Sequence, residues 1–212
     1  MDRVPQMKWP YSVVMFWPTV LFARLWSWLL PQQRRVLDRI PGTPLVVGAV
    51  PLWSSDFALL QSMGVKAVVN MCAEWSPDVQ QLQGHGLHSL HVPVVDMTPP
   101  SQLQLIQCAT WITRELDAAR SDAGDVPLVY VHCKAGRGRS VLVAAACLMA
   151  WGGWLPPKAA QRILAARPHA SDKSRHPALL QLQETLQAPS QAELVTVQEL
   201  REDGPQFLAP EA

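Results

Sequence analysis

The chain has no acidic residue where it is richest in apolar ones. Between Arg3 and Leu37 there is neither Asp nor Glu, while Lys8, Arg24, Arg34 and Arg35 are basic. Over all 212 residues only 17% are charged, and the formal net charge is +1. So small a balance gives no polyelectrolyte drive toward nucleic acid, and no nucleic-acid partner is expected. Cysteine is scarce: four residues, at 72, 108, 133 and 147, with no close pair. That argues against a zinc ribbon or a disulfide scaffold and suits a reducing compartment. Cys108 and Cys147 lie in apolar helical patterns, as small core residues do. His85, His88 and His91 do not make a metal site, because on a strand His88 and His91 point to opposite faces. No metal and no other cofactor is expected. No Gly-Lys-Ser/Thr follows the glycine-rich turn at 136–138, which excludes a Walker nucleotide loop.

An apolar run of membrane-spanning length is barely present. Residues 12–30, "SVVMFWPTVLFARLWSWLL", come near it but contain Pro18 and Arg24. A spanning helix needs about 20 apolar residues. The stretch allows three readings: a single span, a helix lying in the membrane interface, or a helix packed on the domain's own core. The acid-poor N-terminus would also suit an organelle-targeting segment, though serine is sparse. From about Ala188 the chain mixes Pro, Gln, Glu and Gly without strong periodicity. The expected organisation is a hydrophobic N-terminal segment over 1–35, a catalytic domain over 36–187 and a flexible tail over 188–212.

Between the ends, strand-like and helix-like runs alternate. Strands are predicted at 44–50, 65–71, 87–95 and 126–132. Helices are predicted at about 55–63, 77–83, 101–120, 139–151, 157–166 and 176–187. This alternation predicts an α/β fold with a mostly parallel sheet flanked by helices. Ligand sites in such sheets lie beyond the carboxyl ends of the strands.

At one such end stands "VHCKAGRGRS", residues 131–140. It follows the apolar strand "VPLVYV" and precedes the apolar helix "SVLVAAACLMAW", which Gly152 and Gly153 can stop. Cys133 has Lys134, Arg137 and Arg139 close in sequence. Cations and a helix N-terminus lower a thiol pKa from its free value of about 8.5, making the thiolate nucleophilic. Gly136 and Gly138 let the loop fold tightly, with backbone N–H groups converging on an anion.

The pattern His132-Cys133-x-x-Gly136-x-x-Arg139-Ser140 resembles the signature loop of the cysteine-dependent dual-specificity branch of the protein tyrosine phosphatase superfamily. The resemblance implies a phosphatase working through a phosphocysteine. Cys133 would be the nucleophile and Arg139 the grip on the phosphate oxygens. Ser140 would assist the sulfur, and His132 would fix the loop through hydrogen bonds. Lys134, Ala135, Gly136, Arg137 and Gly138 would form the cradle. Asp96, in "VPVVDMTPPS" just past the third strand, matches the general acid of that family; otherwise it caps a turn or the helix near Ser101. Glu74, in "NMCAEW", would pair with Arg139 or stand as a solvated loop acid. Cys72 shares that strand end and could join Cys133 in a reversible disulfide. Arg175 and His176 read as solvated loop residues that could also touch substrate.

The basic "CKAGR" loop is similar to the lipid-directed members, phosphoinositide phosphatases and the mitochondrial phosphatidylglycerophosphate phosphatase type. The second likeness extends over "DRIPGTPLVVGAVP", "GVKAVVNMCAEW" and "VPVVDMTPPS", roughly 36–187. The implied substrate is a phosphorylated anionic lipid; the alternatives are a phosphoprotein phosphatase or an inactive phospho-binding module. The implied location is a membrane, approached through the N-terminal segment. The catalytic domain would face the cytoplasm or, in a eukaryote, the mitochondrial matrix.

Overall fold

The computed structural model describes residues 8–30, 35–120 and 127–187. Two N-terminal helices, α1 (Lys8–Val14) and α2 (Phe16–Leu29), precede β1 (Leu37–Arg39), β2 (Leu45–Gly48) and α3 (Ser54–Ser62). Then come β3 (Val65–Cys72), α4 (Val79–Gly84), β4 (His88–Val94) and α5 (Gln102–Arg120). The chain continues through β5 (Leu128–His132), α6 (Arg139–Gly152), α7 (Pro156–Ala166) and α8 (Pro177–Gln187). The expected tail, 188–212, lies outside the described residues.

The sheet order is β1-β2-β5-β3-β4. Only β1 runs antiparallel; the other neighbours are parallel. The last strand therefore inserts between two earlier ones, and its carboxyl end is flanked by the ends of β2 and β3. The inner strands β2, β5 and, but for Lys66, β3 are buried along their length because both faces are covered. In β5, Val129 and Val131 point to one core, while Leu128 and Tyr130 point to another with Phe57 and Leu60 of α3. Helix α6 lies inside the larger core, every residue from Arg139 to Ala150 being buried. It ends at Gly153 in the left-handed region, φ 61°.

The predicted helix over 12–30 is divided. Pro18 has no N–H for the carbonyl of Val14, so the bonding ladder breaks near Met15 and α2 starts afresh at Phe16. Among the described residues no helix is long and apolar enough to cross a membrane. The 14 residues of α2 reach about 21 Å at 1.5 Å per residue, against a hydrocarbon core of about 30 Å. The spanning reading is thus corrected for the described helices. Phe16 and Val20 bury the inner face of α2 in the main core. Arg24 ties it to Asp56 of α3, Nη2 to Oδ2 at 2.6 Å. Strand β1 was not foreseen: three residues, Leu-Asp-Arg, carry no period of their own and are strand only by pairing with β2.

Candidate active site

Strand β5 ends at His132, and Cys133 opens the loop to α6. Cys133 is 3% exposed, and its Sγ lies 3.4 Å from Ser140 Oγ. The loop's carbonyls are all anchored away from the sulfur. Lys134 O accepts from Val50 N at 3.2 Å and Arg137 O from Ser171 N at 3.0 Å. Ala135 O accepts from Arg167 Nη2 at 3.1 Å, and Gly136 O from Arg167 Nε at 2.7 Å. In a trans peptide the following N–H points opposite to the carbonyl, so the amides of residues 135–138 face the other way. The Gly138 and Ser140 backbone amides favour the charged form of the sulfur. This is an anion cup with the N-terminus of a long buried helix beneath it.

Gly136 permits the fold of this loop. Its φ is +66°, and a Cβ there would stand 2.5 Å from Gly48 O and 2.6 Å from Arg167 Nη2. It lies behind the cup and does not line the cleft in front.

Burial raises the Cys133 pKa, but the Arg139 charge and hydrogen bonds from the Ser140 side chain and the Ser140 and Gly138 amides outweigh it. The value falls to about 7. The sulfur is thus drawn toward its anionic form near neutral pH, the state in which it is nucleophilic.

Arg139, 4% exposed, bridges the ends of β3 and β4. Nη1 donates to Glu74 Oε2 at 3.0 Å, to Met71 O at 3.4 Å and to Val94 O. Nη2 donates to Asp96 Oδ1 at 3.0 Å. Glu74, with a side chain 0% exposed, also accepts from Asp96 N at 2.5 Å. It joins the arginine to the Asp96 loop and is no solvated acid. Its own loop is turned back by Asn70, which donates to Trp75 O at 3.0 Å and accepts from Cys72 N at 2.8 Å.

Asp96 follows β4 in a turn that places Met97 at φ 62°, a strained choice for a non-glycine residue. Its carboxylate pairs with Lys134 and Arg139. Burial raises its pKa, but the Lys134 hydrogen bond and the Arg139 and Lys134 charges prevail and hold it below the usual range. Asp96 caps no helix; Ser101 does, exchanging bonds with Gln104 (Ser101 N to Oε1 at 2.9 Å, Gln104 N to Oγ at 3.3 Å).

His132 departs from the expected role. It is fully buried, and neither ring nitrogen makes a well-formed hydrogen bond. The ring is held instead by stacking on Tyr130, 5.5 Å between centroids, and by the edge of Trp75 at 6.0 Å. Burial, and then the Arg139 charge, push its pKa down to about 3 against the opposing Cys133 backbone. It is neutral at pH 7 and is no base.

Asp96, Cys133, Lys134, Ala135, Arg137, Gly138 and Arg139 line one cleft of about 400 Å³. Its outer rim adds Lys173 and His176, whereas Arg175 lies elsewhere. The three histidines of 85–91 have separate partners: Phe57 for His85, Glu115 for His88 and Cys72 O for His91. Cys72 is free and buried, and burial raises its pKa well above the ordinary thiol value.

The residue that sequence reading missed is Arg167, just past α7 and 1% exposed. Besides two loop carbonyls it holds Asp38 of β1, Nη1 to Oδ2 at 2.6 Å. An arginine ending a helix carries no sign that its partners lie 129 residues away. Arg167→Met keeps the bulk but frees both carbonyls and strips a buried carboxylate of one cation. We expect a loss of about 3 kcal/mol, read from the urea midpoint; a loss under about 1 kcal/mol would show that the clamp is dispensable.

Comparison with known proteins agrees with this site. A family described as "Polymorphic toxin system, DSP-PTPase phosphatase" matches residues 47–153. The human protein "Phosphatidylglycerophosphatase and protein-tyrosine phosphatase 1" is 31% identical over 163 residues, 74% of this chain and 77% of that one. The Arabidopsis thaliana "Phosphatidylglycerophosphate phosphatase PTPMT2" is 27% identical over 158 residues, 73% of this chain and 65% of that one. Among solved structures, PTPMT1 in complex with PI(5)P superposes with a TM-score of 0.59 at 26% identity, covering 78% of this chain and 96% of that chain. Human DUSP28 superposes at 0.54 with 28% identity, covering 72% and 96%. The chain belongs to the cysteine-based dual-specificity branch of the protein tyrosine phosphatase family.

Proposed function

We propose that the protein removes a terminal phosphate monoester from an anionic phospholipid, such as phosphatidylglycerophosphate or a phosphoinositide, at a membrane surface. Cys133 attacks phosphorus and the phosphorus–oxygen bond to the leaving alcohol breaks, Asp96 giving that oxygen its proton. Water then hydrolyses the phosphocysteine with Asp96 as base, and Ser140 steadies the departing thiolate. Arg139 and the loop amides hold the three phosphate oxygens, now free of the alcohol, through both steps. Asp96 reaches its acid form when a phosphate dianion takes over Arg139 and Lys134 and sets negative charge beside the carboxyl.

One observation carries the lipid reading. Helix α2 is apolar on both faces. Beyond its buried stripe, Trp17, Leu21, Leu25 and Trp28 form an outward stripe, 53% to 77% exposed for the two tryptophans. A helix hydrophobic all round belongs in a core or a lipid phase. Tryptophans together with the acid-free, basic sequence around it fit an anionic membrane interface. The named activities of the human and Arabidopsis relatives support the same substrate class. The human name also contains protein tyrosine phosphatase, so the test has two arms. Phosphate release from phosphatidylglycerophosphate or phosphoinositide vesicles is compared with release from phosphopeptides. Preference for the vesicles is expected, and a preference for peptides would overturn the reading.

Asp96→Ala removes the proton donor. A loss of about 10²-fold in kcat is expected for alkyl phosphates, whose leaving groups need protonation, with a much smaller loss for para-nitrophenyl phosphate. Equal losses on both would contradict the acid role.

A further inference from the structure

Beside the catalytic cleft lies a second cavity, of about 220 Å³, closed on one side by α2. Lys134, Ala135 and Arg137 line both spaces, so the loop forms a shared border between them. The α2 side presents Val20, Phe22 and Ala23 beside Thr19, Ser27 and Arg24, whose charge is taken by Asp56; the rest of the lining includes Arg35 and Arg137. These last two are not fully neutralised. Arg35 and Arg167 share the single carboxylate of Asp38. Arg137 donates Nε to His169 O at 2.7 Å and forms no ion pair among the described residues. Phe22, 57% exposed, lines the cavity and also stands at the outer surface of α2.

Resting on the lipid-monoester reading, we propose that this cavity is the subsite for the part of the substrate beyond the scissile phosphate. Arg137 and Arg35 receive a second, phosphodiester anion, and the α2 wall receives the glycerol and the first methylenes of the acyl chains. A cation pair in one cavity with apolar side chains matches a group that is anionic at one end and alkyl at the other. The second phosphate then lies next to the cup while the chains pass Phe22 toward the membrane. Selectivity for a lipid monoester over a simple alkyl phosphate follows from occupancy of this subsite.

The test separates the subsite from both the membrane and the catalytic cup. Monomeric dioctanoyl phosphatidylglycerophosphate, kept below its aggregation concentration, is compared with glycerol 3-phosphate and para-nitrophenyl phosphate. Ala23→Phe and, as a second variant, Ser27→Leu fill the cavity from the α2 side. Each is expected to raise KM for the dioctanoyl lipid about tenfold, which is about 1.4 kcal/mol of binding. kcat/KM for the two small substrates should stay within twofold. If the wild type hydrolyses the monomeric lipid and neither variant changes its KM, the subsite is overturned while the lipid reading stands. If the wild type ignores lipid and hydrolyses phosphopeptides, both fall. An equal loss on para-nitrophenyl phosphate in both variants would place the effect in the catalytic loop and also overturn the subsite.

Discussion

Cys133→Ser abolishes phosphate release, by at least about 10⁴-fold on every substrate, while phosphorylated ligands still bind. The reason is acidity. The Arg139 charge, the Ser140 hydroxyl and two amides oppose the burial of the thiol and bring its pKa down to about 7. A serine hydroxyl in the same cup starts several units higher and stays neutral. His132, the adjacent imidazole, is locked neutral between Tyr130 and Trp75 and lies on the strand side of the loop. The carbonyl anchors that shape the cup do not touch the side chain at 133, so the variant keeps its binding site. Phosphate binding measured by calorimetry, beside kinetics, separates the two effects. Loss of binding together with turnover would mean that the sulfur is structural.

Arg139→Lys costs about 10³-fold in kcat/KM, about 4 kcal/mol of transition-state stabilisation. The substitution keeps the charge, so a purely coulombic role would leave most of the activity. The guanidinium, however, satisfies four acceptors at once: Glu74, Asp96, Met71 O and Val94 O. An ammonium has three donors and no planar fork, and cannot both keep the Glu74 anchor and grip two phosphate oxygens. Glu74, paired with no other cation among the described residues, would then be left partly unpaired in a buried position. The Cys133 pKa should rise at the same time, since the charge that lowers it moves away. Retention of wild-type kcat/KM in the lysine variant would show that geometry at this position does not matter.

Much of this site was legible along the chain, and the limits are physical. The six helices and four of the five strands of the catalytic body announce themselves by apolar period and by Gly and Pro punctuation. The cysteine loop does so because a strand, a tight basic turn and a buried helix occur in immediate succession. Asp96 was legible because strand ends share one edge of a parallel sheet. What local pattern cannot carry is pairing across the fold. β1 is strand only beside β2. Glu74 becomes an anchor only because Asn70 folds its loop back against Arg139. Arg167 and Lys173 reach the loop and the cleft from a connection whose sequence looks like solvated turn. His132 was misread for the opposite reason: a histidine beside a catalytic loop suggests hydrogen bonds, but its neighbours on the sheet are aromatic rings. The helix at 12–30 was divided by Pro18, whose effect depends on where the first turn begins.

The central claim is a thiolate held ready in an amide cup closed by one guanidinium. It is tested most directly by the pH dependence of Cys133 alkylation with iodoacetate, followed by peptide mass, with and without inorganic phosphate. Only the thiolate reacts, so a lowered pKa moves the rise to lower pH. The account predicts a midpoint near pH 7, as the Cys133 pKa of about 7 requires, and protection by phosphate. A midpoint at the free-thiol value of about 8.5 or above, unaffected by phosphate, would contradict it.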